Sequence, residues 1–200
     1  MFELTPEEQI TKAKITLQDS HPFFAYILMN MKCKKSEDLP TMGVNQFGDL
    51  FWNEEFTMGL TRDEVHGVLA HEAMHVATLT FQRKKNRDHT IWNVATDFAI
   101  NWLLKKVAWG DGDDGIEGQF DKHIEGDKDD KGESQGKGKT DADIRENEQN
   151  WKSKATEAAT HAKARGHLSS NLGREMEDIL DPKIDWRKKL QEFITKDLPI

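Results

Sequence analysis

One cysteine in two hundred residues, Cys33, rules out an intramolecular disulfide framework and cannot build a cysteine zinc site. A lone thiol suits a reducing compartment. No apolar run approaches the ~20 residues of a membrane span, and no N-terminal apolar stretch resembles a signal peptide. A cytoplasmic protein without membrane contact is the expectation. Basic charge is also scarce: 28 Lys and Arg stand against 36 Asp and Glu, a net charge of −8. With a pI near 5.5, this balance argues against nucleic acid as a partner. The short basic runs Lys32 to Lys35 and Arg83 to Arg87 read as solvated turns.

Apolar residues make up 36% of the chain, charged residues 32%, and the mean hydropathy is −0.77. The polarity is local. Residues 108 to 150 hold eight of the fourteen glycines among runs of Asp, Glu and Lys. The pattern predicts a mostly flexible acidic insert over 108–142, inside a single domain that spans 1–200 and ends in a helical part, 143–200. Two calcium-loop frames fail, because Ile116 and Lys122 interrupt the one starting at Asp111, and Lys131 and Gly138 the one starting at Asp127. A long loop after a catalytic helix could act as a lid or substrate gate.

What the chain does have is His71-Glu72-Ala73-Met74-His75, an H-E-x-x-H pentapeptide. Thr61-Arg62-Asp63-Glu64 precedes it with the capping-box pattern, and Val65, Val68, Leu69, Val76 and Leu79 recur at helical spacing. The motif is therefore expected in mid-helix, where histidines four apart share a face and can hold one ion. Zinc favours such nitrogen ligands, leaves a position for water in catalytic sites and lowers that water's pKa to ~7. Glu72 falls on the apolar side of the wheel, beside that position, as the expected general base.

Two histidines hold zinc poorly, so a third ligand is required. The extension H-x-x-G-x-x-H is excluded, since Thr78 and Phe81 stand at its Gly and His positions. A carboxylate from a second helix is the alternative, and Trp92 to Asn101 supplies Asp97. That helix is apolar nearly all round, through Ile91, Val94, Phe98, Ile100, Leu103 and Leu104, which predicts burial. A lone buried carboxylate costs several kcal/mol unless paired or metal-bound. Asn93 and Asn101 lie one turn either side of Asp97, and either could accept the second ring N–H of a ligating histidine. His89 is a rival third ligand placed in the preceding connection, and His66 points away as a surface residue. Nickel, cobalt or manganese could also occupy this donor set.

Elsewhere, Thr5-Pro6 starts a helix with Ile10, Ala13, Ile15 and Leu17 as its stripe, and Pro22 starts another through Met31. Residues 41 to 56 read as a hairpin with strands at 43–46 and 48–53. Those residues either receive substrate as an added strand or merely cover the core. Helices are expected over 143–164, ending at Gly166, then 171–180 and 184–194, the last docking through Trp186, Leu190 and Phe193. Tyr26, His123, His161 and His167 are open candidates for substrate or oxyanion contacts.

Several stretches resemble a family of bacterial and phage metallopeptidase domains that often precede a von Willebrand factor A-like domain. They are Phe23-Phe24-Ala25, Gly48-Asp49-Leu50-Phe51-Trp52-Asn53, Leu69 to His75, Trp92 to Asn101 and Asp181-Pro182-Lys183-Ile184-Asp185-Trp186-Arg187. The resemblance implies a zincin-like domain with His71, His75 and Asp97 as metal ligands and Glu72 as catalytic carboxylate. The expected fold is α+β and mainly helical, with a small β-hairpin or sheet. The expected function is that of a metallopeptidase carrying one Zn2+ per chain and acting on a peptide or protein substrate. The rivals are a metal-stabilised binding module that serves a partner domain or ATPase and cleaves nothing, and a non-peptide hydrolase that uses the same water.

Overall fold

Thr5 caps the first helix of the computed structural model, which describes residues 4–105 and 140–180. Its hydroxyl accepts from the Glu8 amide while the Glu8 carboxylate accepts from the Thr5 amide, and Pro6 occupies the first helical position of α1 (Pro6–Ser20). Pro6, Ile10, Ala13 and Leu17 form its buried stripe. Ile15, expected in that stripe, is exposed, because it falls on the other side of the helical wheel. α2 (Pro22–Asn30) follows directly and buries Phe23, Phe24, Ala25, Ile27 and Leu28.

The next stretch holds a three-stranded mixed sheet in the order β1-β3-β2, from β1 (Lys32–Lys35), β2 (Met42–Val44) and β3 (Asp49–Trp52). β2 and β3 form the expected antiparallel hairpin, with Met42 opposite Trp52 and Val44 opposite Leu50. β1 corrects the sequence reading, which took Lys32 to Lys35 for a solvated turn. It runs parallel to β3, with Cys33 opposite Leu50. The Lys-Cys-Lys-Lys run shows no apolar alternation because every one of its residues is exposed on the sheet edge, where lysines discourage further pairing. Lys34 pairs with Asp49 at 3.0 Å, and Lys35 pairs with Glu54.

After α3 (Glu54–Met58) comes α4 (Arg62–Ala77), with the expected capping box between Thr61 and Glu64. α4 is the axis of the core. Every residue from Gly67 to Ala77 is buried, since α1, α2 and β2 pack around the helix. α5 (Thr80–Lys84) is a short turn, and α6 (His89–Leu104), capped by the Asp88 carboxylate, returns along α4. The expectation that α6 is buried all round is wrong. Ile91, Phe98 and Trp102 are 72%, 62% and 58% exposed, and only the face bearing Asp97, Ile100, Leu103 and Leu104 is buried.

α7 (Asp141–Ala164) begins two residues earlier than expected, because Thr140 and Asp143 form a third capping box. Trp151, Ala155, Ala158 and Ala162 are its buried residues, and the helix packs against α2 and α4. Gly166, with φ +74, follows its end as expected, and α8 (Ser170–Leu180) packs back on α7. Trp151 Nε1 donates to the Phe47 carbonyl and Asn147 Nδ2 to that of Gln46, so α7 grips the turn between β2 and β3. No helix among the described residues is long and apolar enough to cross a membrane. Most of the acidic insert, the suggested lid, the 184–194 segment with Trp186, Leu190 and Phe193, and His123 lie outside the described residues.

Candidate metal centre

The burial of α4 places its polar residues in the interior. His71, Glu72 and His75 are 0%, 2% and 8% exposed, and Asp97 of α6 is 1% exposed. Four groups that ordinarily seek water thus sit together in or beside the core, and His75 is the most open of them. One ligand atom from each of His71, His75 and Asp97 lies within 4.8 Å of the other two, a group that could hold a metal ion. His71 Nε2 and His75 Nε2 are 2.9 Å apart, and Asp97 Oδ1 lies 3.0 Å from the second and 3.6 Å from the first.

The donor set fits a metal. Ligands held at ~2.0–2.1 Å in a tetrahedral shell stand about 3.3 Å from one another, and the three separations found fall on either side of that value. The tautomer agrees as well. His71 Nδ1 lies 2.7 Å from Asn101 Oδ1, an oxygen that can only accept, so Nδ1 carries a proton and the neutral ring has its lone pair on Nε2. Asp97 Oδ1 is buried and has no hydrogen-bond partner of proper geometry among the described residues. Burial raises the Asp97 carboxyl, but the two imidazoles facing it outweigh that effect and hold it well below the usual carboxylate range. Asp97 Oδ1 and the neutral His71 Nε2 thus turn electron pairs toward one another across 3.6 Å, with His75 Nε2 beside both. A cation there would resolve the conflict.

The other sequence candidates are scattered. Asn93 Nδ2 is turned to His89 Nδ1 at 3.4 Å, and the amide that meets His71 is Asn101; His89, expected in the preceding connection, is instead the first residue of α6, because the Asp88 cap starts the helix there. His66 is not the free surface residue expected. It is half-buried, with Nε2 2.7 Å from Thr16 Oγ1 across the contact between α1 and α4. The Tyr26 hydroxyl donates to Glu157 at 2.6 Å, and its ring faces His161, whose centroid is 6.0 Å away on α7. His161 and His167 are exposed. Phe81, which the sequence marked only as not a histidine, places its ring 6.4 Å from that of His75. It lies beyond the end of α4, where helical periodicity no longer predicts facing.

A protein of unknown character from Thermotoga maritima is 31% identical over 108 residues, covering 51% of this chain and 27% of its own length. The chain thus spans about a quarter of that relative. No solved structure matches. A family model described as "Putative metallopeptidase domain" matches residues 5–111 and 110–199, so the match takes in all four buried polar groups. The chain belongs to this putative metallopeptidase domain family.

Proposed function

We propose that the protein is a zinc-dependent peptidase whose metal is held by His71 Nε2, His75 Nε2 and Asp97 Oδ1. The observation that carries the reading is the convergence of these three atoms in the interior, with the His71 tautomer set by Asn101. A zinc ion bound there would supply Lewis-acid polarisation of the scissile carbonyl and an acidified water. Glu72 takes the proton of the attacking water on its carboxylate and delivers it to the leaving amine. Asn101 holds the His71 ring in the ligating tautomer, and Phe81 screens the His75 side.

Substrate would lie along β2. Among the described residues β3 is paired on both sides, which leaves β2 as the open edge of the hairpin, and β2 packs against α4. An extended peptide added there would pair with the outward backbone groups of β2, beside the metal helix.

The burial of Glu72 favours a second reading, in which the same metal only stabilises a binding module. Both readings require the ion. Metal analysis of the parent beside His71→Ala, His75→Ala and Asp97→Ala should find about one zinc per chain, lost in each variant. A folded parent without metal would overturn both, and a zinc-loaded parent that cleaves no peptide in a broad screen would leave the module.

A further inference from the structure

The three proposed ligands come from two helices, so the angle of α6 against α4 decides whether Asp97 meets the histidines. The buried residues of α6 all lie in its second half: Asp97, Ile100, Leu103 and Leu104. From His89 to Thr96 no residue is buried, and the outer face that carries Ile91 and Phe98 is open. Apolar packing therefore grips one end of the helix only. The other end needs a different anchor.

Trp92 provides one. Its Nε1–H donates to the Thr80 carbonyl at 3.0 Å, and the Arg87 guanidinium covers its ring at 4.6 Å. The side chain of the same threonine reaches into the core. Thr80 is buried, and its hydroxyl lies 3.0 Å from the Thr78 hydroxyl. Thr78 donates its own proton to the Met74 carbonyl at 2.8 Å, so the link between the hydroxyls runs from Thr80 to Thr78. Met74 immediately precedes His75. Leu79, buried between the two threonines, adopts φ 54, the left-handed region that leucine enters rarely, so the turn is an imposed conformation.

Resting on the metal reading above, we infer that Trp92 is a positioning residue for the metal centre. Through Thr80 and Thr78 it ties the open end of α6 to the turn of α4 that carries the histidines, and so sets the distance from Asp97 to both. Trp92 precedes Asp97 by five residues, about 7.5 Å along the axis at ~1.5 Å per residue. Asp97 lies on the Trp92 side of the apolar contacts Ile100, Leu103 and Leu104, so a helix pivoting on those three moves Asp97 when that tie loosens. Metal sites tolerate ligand displacements of only about 0.2 Å.

Trp92→Phe leaves an aromatic ring beside Arg87 and removes the N–H donor together with the five-membered half of the indole. Thr80→Val removes the hydroxyl step, and Thr80→Ser restores it. The measurements are zinc affinity by chelator competition, visible absorption after loading with Co2+, and the thermal midpoint with and without metal. Trp92→Phe and Thr80→Val should bind zinc about 10–100-fold more weakly, the loss typical of groups that orient ligands. Their cobalt spectra should differ from the parent, their metal-free midpoints should match it, and Thr80→Ser should behave as the parent. Parent-like affinity and spectrum in both variants would overturn the inference, as would a midpoint loss equal with and without metal, the mark of an ordinary structural tie. If Trp92→Phe does not fold, the Thr80 pair decides by the same criteria. A parent that takes up no metal overturns the metal reading and this inference with it, whereas a metal-binding parent with unaffected variants overturns this inference alone.

Discussion

His71 Nδ1 lies 2.7 Å from Oδ1 of Asn101, thirty residues further along the chain, and this pair joins α4 to α6 at the candidate metal centre. The amide oxygen does for the imidazole what a carboxylate does in many metal sites: it fixes which nitrogen carries the proton. Asn101→Leu preserves much of the volume and removes the acceptor. We expect its zinc affinity to fall about 10–100-fold by chelator competition. Asn101→Asp, which keeps an acceptor, should stay close to the parent.

Glu72→Gln separates catalysis from metal binding. The side chain keeps its size in a site only 2% exposed, so the fold and one metal per chain should persist. Peptide turnover should drop by about 10²–10⁴, the scale of general-base catalysis. Equal turnover by parent and variant at matched metal content would remove Glu72 from the mechanism.

His66 predicts an acid-sensitive stability. Burial, the largest influence, lowers its pKa from 6.5, and Arg62 lowers it further, against the opposing pull of Asp63. The unfolded chain therefore takes up a proton at higher pH than the folded one. Its contribution is fully present above about pH 6.5, the unfolded value, and is lost as pH falls from there through the lower folded pKa. Denaturant midpoints measured between pH 7.5 and 5 should decline in the parent and decline less in His66→Gln. Parallel curves would assign the acid sensitivity to other groups.

Gly48→Ala should destabilise strongly. Gly48 has φ +77, and a Cβ there would lie 2.0 Å from Trp151 Cζ2. Backbone strain together with overpacking costs on the order of 2–4 kcal/mol. Urea denaturation measures it, and a loss under about 1 kcal/mol would mean that α7 shifts freely away from the hairpin turn.

Local order in the sequence anticipates much of the fold. The helix start at Thr5-Pro6, the capping box at Thr61, the helix over the H-E-x-x-H motif, the hairpin and the Gly166 stop all depend on residues within a few positions of one another. β1 escaped notice because a lysine-rich edge strand has no apolar period and joins the sheet only through β3. The outer face of α6, with Ile91, Phe98 and Trp102, departs from expectation for the converse reason, since an apolar composition does not say which faces will find neighbours.

The candidate centre divides in the same way. Local periodicity puts His71 and His75 on one face, because 3.6 residues per turn stack positions four apart. It also places an acid and two amides in one stripe of the following helix. The packing of helix on helix is what brings Asp97 onto both imidazoles, Asn101 rather than Asn93 to His71, and Thr16 to His66. Those relations depend on how separate helices pack, and packing is fixed by long-range burial of side chains that no local period encodes.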